Sequence, residues 1–200
     1  MSTQLRDFAP GLQHLWIGAT GKEAYFRDEI DRMNWIRDLV RTTALQGWTC
    51  VAFCQMTTHV HLIVDVPDRS LPTGMQRLNS DYGRRFNARH DRVGLLVRRR
   101  YGSRRIESAA DLLGVFAYVV LNPVRAGFCP RAEVWHWSSA ATTLGDADDF
   151  PFVDASLVLA EFDGSTGRLR SFIEARWRAY LAERAVSRRL TPGRGRGDTH

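Results

Sequence analysis

Residues His59 to Val66 (His-Val-His-Leu-Ile-Val-Asp-Val) constrain this chain more than any other stretch. On an extended backbone Val60, Leu62, Val64 and Val66 fall on one face, and His59, His61, Ile63 and Asp65 on the other. The alternation and the many β-branched residues predict a half-buried strand. Two imidazoles one residue apart then project from the same face, at a spacing that suits one divalent cation. A polar, solvated strand face is the plainer reading of the same pair, because histidine is common in both settings.

The flanking patterns build a fold around this strand. Residues 12–19 read as a first strand. From Asp28 to Gln46, Ile30, Met33, Ile36, Val40 and Ala44 recur at helical spacing, with Trp35 and Leu39 beside them, and Gly47 ends the helix. Trp48 to Cys54 is an apolar strand, close enough to His59–Val66 to form an antiparallel hairpin. A second helix is expected from Leu71 to His90, buried through Met75, Leu78, Tyr82 and Phe86. Strand-like patterns at 94–101 and 105–107 complete the order β-α-β-β-α-β. That order predicts an α+β, ferredoxin-like domain: one antiparallel sheet with helices packed on one face.

A third helix should start at the Ser108 cap, with Asp111 in capping-box position, and end before Pro123. Its buried stripe is Leu112, Val115, Phe116, Val119 and Val120. Tyr118 and Asn122, one turn apart, can face one site. Helices near 154–162 and 168–186 and a basic tail follow. The chain therefore divides into a main domain at 8–145, a C-terminal helical extension at 146–187 and a tail at 188–200, expected to be disordered.

No apolar run approaches a membrane span, and the first residues carry no apolar signal-peptide core. Cys50, Cys54 and Cys129 lack zinc-site spacing and fit buried thiols in a reducing cytoplasm. Charge says more. Lys22 is the only lysine among 28 basic residues. Residues 77–105 hold ten arginines against Asp81 and Asp91, a local +8 where the whole chain is +6. Such a patch points to a polyanion, and guanidinium suits phosphate best; a solvated basic face accounts for the composition equally well.

Four motifs occur in order: Met56-Thr57-Thr58-His59-Val60-His61-Leu62, Gly74-Met75-Gln76-Arg77-Leu78-Asn79, Tyr118-Val119-Val120-Leu121-Asn122-Pro123-Val124-Arg125-Ala126-Gly127 and Trp137-Ser138-Ser139. Together they resemble the single-tyrosine HUH transposases, and among these the REP-associated tyrosine transposases, over residues 8–185. Thr57-Thr58 stand where Pro-Asn is usual in that family, and Gly18–Lys22 depart from its Arg-Gly-Asn arm. The resemblance implies a ferredoxin-like HUH nuclease fold that cuts and rejoins single-stranded DNA near REP-type hairpins through a 5′-phosphotyrosine. It implies His59 and His61 as ligands of Mg²⁺ or Mn²⁺, Asn122 as the third ligand and Tyr118 as the nucleophile. The expected setting is a bacterial, nucleoid-associated cytoplasmic protein, monomer or homodimer, without a membrane partner.

Arg77, Arg84, Arg85, Arg98, Arg99, Arg100, Arg104 and Arg105 are expected on DNA. Arg125 is expected to hold the strand and Tyr101 to stack a base or contact phosphate. Tyr82 and Tyr101 are the other nucleophile candidates. His14 and His136 are further ligand candidates for which a structural role is the more ordinary reading, and Trp135 and Trp137 read mainly as core. The rival function is a domesticated module that binds structured single-stranded DNA or RNA without cutting it.

Overall fold

The computed structural model describes residues 9–19, 23–97 and 101–190. Six elements form the frame: β1 (Gly11–Gly18), α1 (Glu29–Gln46), β2 (Thr49–Gln55), β3 (His59–Val66), α2 (Leu71–Arg89) and β4 (Gly102–Arg105). The strands lie in the order β2-β3-β1-β4, and every neighbouring pair is antiparallel. This is the expected ferredoxin-like sheet, with the His59–Val66 strand in its interior. After it come α3 (Ala109–Val120), α4 (Asn122–Arg125), α5 (Ala140–Thr143), α6 (Ser156–Ala160) and α7 (Thr166–Leu190).

Helices cover both faces of the sheet, not one. Leu15, Ile17, Phe53, Val60, Leu62 and Val64 pack with Trp35, Leu39, Met75, Leu78 and Phe86 of α1 and α2. Val51, Ala52, Cys54 and Ile63 join a second core with Leu112, Phe116 and Val120 of α3 and Leu169 and Ile173 of α7. A β-bulge between Cys50 and Ala52 leaves Val51 as the extra residue, so two consecutive side chains reach the α3 side. Cys50 and Cys54 are buried free thiols, pushed up in pKa by desolvation.

The face that α1 buries differs from its apolar pattern. Ile30, Met33 and Val40 are exposed, whereas Asp31, Arg32, Trp35, Ile36, Asp38, Leu39, Thr42 and Thr43 are buried. The reason is ion pairing with α2. Asp38 meets Arg85 at 2.9 Å, and Asp31 meets Arg89 at 2.6 Å and His90 at 2.9 Å. Arg32 is held by cation-π contacts, its guanidinium 5.0 Å from the Phe26 ring, 5.4 Å from Trp137 and 5.6 Å from Trp135. Buried charges that bring their own partners defeat a hydrophobicity count.

The expected strands at 94–101 and 105–107 contract to β4, Gly102–Arg105. Left-handed backbone at Asp91 (φ 48°) and Gly94 (φ 96°) breaks the earlier run, while Arg98–Arg100 lie outside the described residues. The basic tail expected at the C-terminus lies outside them from residue 191 onward.

Trp137-Ser138-Ser139 has a structural reason. Gln55 N–H donates to the Trp137 carbonyl (2.8 Å), Ser139 N–H to the Phe53 carbonyl (3.0 Å), and Phe53 N–H to Ser139 Oγ (3.0 Å). The segment thus satisfies the open edge of β2, which would otherwise present unpaired backbone groups. Among the described residues no helix is long and apolar enough to cross a membrane.

Two glycines of α2 make a matched test. A Cβ on Gly74 would fall inside the van der Waals surface of the Trp48 ring, which is buried and fixed by its Nε1–H bond to Ser70 Oγ (2.8 Å). A Cβ on Gly83 meets nothing within 4 Å. Gly74→Ala is therefore expected to destabilise by about 1–3 kcal/mol, and Gly83→Ala to stabilise by up to about 1 kcal/mol. Urea unfolding of both variants checks the pair.

Candidate active site

β3 carries the site because its two faces do different work. Its valines and Leu62 seal the core under α1 and α2, which turns His59 and His61 toward the α3 layer. The β1–β3 register sets Trp16 opposite His61, Gly18 opposite His59 and His14 opposite Ile63. Opposed residues in an antiparallel pair share a face, so β1 contributes His14 to the same layer. His14 Nε2 lies 3.1 Å from His61 Nδ1. Thr58 Oγ1 lies 3.1 Å from His59 Nδ1.

These two contacts select nitrogens. With each Nδ1 engaged, Nε2 is the atom that His59 and His61 have left for an ion, and a partner on the other nitrogen fixes ring orientation and tautomer. The two rings stand edge-to-face with centroids 5.1 Å apart. Desolvation lowers the pKa of all three imidazoles: His61 to about 3, His14 to about 4, and His59 in the same direction. The neighbouring histidines depress His61 further, and Arg104 depresses His14. Neutral imidazole is the form that binds a metal.

α3 supplies the tyrosine. Its N-terminus is capped as expected, Asp111 N–H donating to Ser108 Oγ at 3.1 Å. Its apolar stripe is buried, and Tyr118 on the last turn stays 39% exposed. The Tyr118 ring lies edge-on to His61 at 5.2 Å and to His14 at 6.1 Å. Asn122 opens α4, and its Nδ2 donates to the Tyr118 carbonyl at 2.9 Å, so this bond does not occupy Oδ1. Arg125 stacks its guanidinium 5.1 Å from the Tyr118 ring and 4.6 Å from the Tyr180 ring of α7.

Histidine 14 and Tyr180 are the residues that sequence reasoning undervalued or missed. The signal for His14 was its place two residues from Trp16 on a strand that pairs with β3; the signal for Tyr180 was absent. His136 is exposed and 3.6 Å from Asp149, and among the described residues it belongs to no cluster with the other histidines.

Two tyrosines change role. Tyr101 is 8% exposed inside the core beneath α1 and α2, so it offers no platform for a base. Tyr82 is fully buried and donates its hydroxyl to the Tyr25 carbonyl at 2.6 Å, which removes it as a nucleophile.

The arginines divide. Arg85, expected on DNA, closes onto buried Asp38 and serves the α1–α2 contact. Arg77 and Arg84 both meet Asp81, and Arg104 grips Asp111 through two bonds of 2.8 and 2.9 Å. Arg84, Arg104 and Arg105 remain on the surface. Arg98, Arg99 and Arg100 lie outside the described residues.

A second cluster has ligand-type side chains within sharing distance of one ion: Asp28, Asp31 and His90. Arg89 already sits there, 2.7 Å from Asp28 and 2.6 Å from Asp31. Its guanidinium supplies the positive charge those carboxylates need, and the cluster ties α1 to α2.

The imidazoles make stability pH-dependent. In the metal-free fold His14 and His61 stay neutral down to about 4 and about 3, whereas in the unfolded chain they take up protons below 6.5. The unfolded state then binds more protons, so stability falls as pH drops below about 6.5, by up to about 1.4 kcal/mol per pH unit for each imidazole. Chemical denaturation between pH 7.5 and 5 is expected to show this slope, flattened in a His14→Gln/His61→Gln double variant.

No protein-family model matches the chain, and a search of curated proteins finds no match. Among solved structures it is similar to a REP-associated tyrosine transposase bound to a REP hairpin, at 14% identity over 78% of this chain and 93% of that one, with a TM-score of 0.62. It is also similar to a candidate transposase from Deinococcus radiodurans at 18% identity, over 60% of this chain and 95% of that one, with a TM-score of 0.40. The first likeness bears on architecture: the chain has the HUH transposase fold, an antiparallel four-stranded sheet with packed helices.

Proposed function

We propose that this chain is a metal-dependent enzyme that nicks and rejoins single-stranded DNA beside hairpins, in the manner of REP-associated tyrosine transposases. The observation that carries the reading is the Tyr118 ring set edge-on to His61 while His59 and His61 both keep Nε2 for an ion. Fold alone would not support it, since folds host many functions. The similar hairpin-bound structure makes a structured DNA strand the fitting substrate.

The donor set, two neutral imidazole nitrogens and the Asn122 amide oxygen, would hold a divalent cation in a loosely selective site that admits Mg²⁺ or Mn²⁺. Bound there, such an ion would polarise the scissile phosphate and offset its charge. His14 orients His61, and Thr58 orients His59, each through Nδ1. Tyr118 Oη attacks phosphorus, the bond to the 3′ oxygen breaks, and that oxygen leaves as a 3′-hydroxyl with the proton the phenol gives up. The strand's 5′ phosphate is then joined to Tyr118, and a second 3′-hydroxyl reverses the step without ATP. Arg84, Arg104 and Arg105, with the Arg98–Arg100 run, supply charge for the DNA backbone.

The test is a denaturing gel of protein with labelled single-stranded DNA carrying hairpins from the gene's own flanks. A covalent adduct is expected with Mn²⁺, absent with EDTA and absent in Tyr118→Phe. Hairpin binding with no adduct in any lane would replace the nuclease with a non-cleaving binder. Calorimetric titration with Mn²⁺ supplies a second check: His14→Phe, which keeps a ring but no second nitrogen for His61, is expected to weaken the ion about 10–100-fold.

A further inference from the structure

The C-terminal helix reaches the tyrosine through a single arginine. Leu169, Ile173, Trp177 and Tyr180 recur at helical spacing along α7, and the first two are buried in the core beneath α3. Arg170 pins the same half of the helix, 2.9 Å from Glu133 and 2.8 Å from Asp146. From that anchored half, Trp177 stacks on Tyr180 with ring centroids 5.4 Å apart and planes at 21°. Tyr180 then covers one side of the Arg125 guanidinium and Tyr118 the other, at 4.6 and 5.1 Å.

Two details show that this stack, not a hydrogen bond, holds Arg125. Its Nε is buried with no hydrogen-bond partner among the described residues. A guanidinium over an aromatic face is attracted by the ring's negative quadrupole, more so when desolvated. Tyr118, for its part, is 39% exposed and touches the histidines only through ring edges. Without a contact on its other side, its side-chain torsions would have room to swing into solvent.

We propose that Arg125 and Tyr180 are positioning residues for Tyr118, a Tyr180–Arg125–Tyr118 stack that holds the phenol against His61 and makes α7 part of the reacting centre. This rests on Tyr118 being the nucleophile. It also revises the role expected of Arg125 from sequence: its faces serve the tyrosine. Angular freedom in a nucleophile costs rate, on the order of 10²-fold for a small misplacement, while substrate binding is spared.

The experiment has two readouts. In single-turnover cleavage, Tyr180→Ala and Arg125→Leu are expected to slow adduct formation about 10–100-fold with DNA affinity unchanged, and Tyr180→Phe, which keeps the ring, to restore the rate. In protein labelled with 3-fluorotyrosine and free of DNA, the Tyr118 resonance, identified by its loss in Tyr118→Phe, is expected to move toward the solvent-exposed position in Tyr180→Ala and to stay in Tyr180→Phe. An unmoved resonance in Tyr180→Ala would overturn the stack. Faster cleavage in Tyr180→Ala would overturn it too, making α7 a lid. Weaker DNA binding in Arg125→Leu at an unchanged cleavage rate would return Arg125 to the phosphate backbone. If wild type forms no adduct on any hairpin, the nuclease reading fails, and the fluorine resonance alone decides the stack.

Discussion

An interior strand covered on both faces has little freedom in its register, and the candidate site depends on that constraint. If β3 slipped by one residue, Val60, Leu62, Val64 and Val66 would turn toward α3, and His59 and His61 would enter an apolar core. The four apolar side chains are fully buried where they stand, so such a slip would exchange that packing for two imidazoles set in an apolar core. The valines beneath the sheet thereby hold the imidazoles above it. Desolvation of those imidazoles is unfavourable to charge, and the fold accommodates it by keeping them neutral and hydrogen-bonded, His61 to His14 and His59 to Thr58. The burial that lowers their pKa thus also keeps them in the neutral form that a metal would need.

Arginine serves two ends in this protein. Part of the basic run is spent on buried carboxylates: Arg85 on Asp38, and Arg89 on Asp31, with both aspartates 1% exposed. Without Arg85 the buried Asp38 carboxylate would lose its cation, whereas without Arg89 the Asp31 carboxylate would keep His90. Arg104 grips Asp111 in the first turn of α3, where a carboxylate also favours the helix dipole. Among the described residues, the uncompensated charge of 77–105 is therefore smaller than the local count of arginines.

What could be read from sequence was what local chemistry determines. β3 runs from His59 to Val66 as its alternation requires, and α1 and α3 begin at the Asp28 and Ser108 caps. The βαββαβ order followed from those elements. The buried face of α1 was not legible, because Asp31, Arg32 and Asp38 are inside by virtue of partners elsewhere in the chain: Arg85 and Arg89 of α2, the Gln55 carbonyl of β2, and the Phe26 and Trp135 rings. The second helical layer was not legible either, since an apolar stripe does not say which side of a sheet it covers. His14 looked ordinary because its partner is fixed by strand register and not by spacing along the chain. Tyr180 lay on a helix whose pattern promised only packing.

The turn between α3 and α4 shows how a short motif can serve backbone and site together. α3 ends at Val120, Leu121 keeps near-helical angles (φ −85°, ψ −3°), and α4 resumes at Asn122. Pro123 has no N–H to give to the preceding turn, and one position earlier the Asn122 side chain donates to the Tyr118 carbonyl. Because the break is only one residue long, Tyr118 and Arg125 keep nearly the relation of residues two turns apart on one helix, the relation that puts a guanidinium over a ring. A longer loop would separate Tyr118 from its arginine, and an unbroken helix would not leave the Asn122 amide bonded at the turn. The sequence Tyr-Val-Val-Leu-Asn-Pro-Val-Arg is thus a geometric device, and α7, arriving from the far end of the chain, completes it by closing the other side of Arg125.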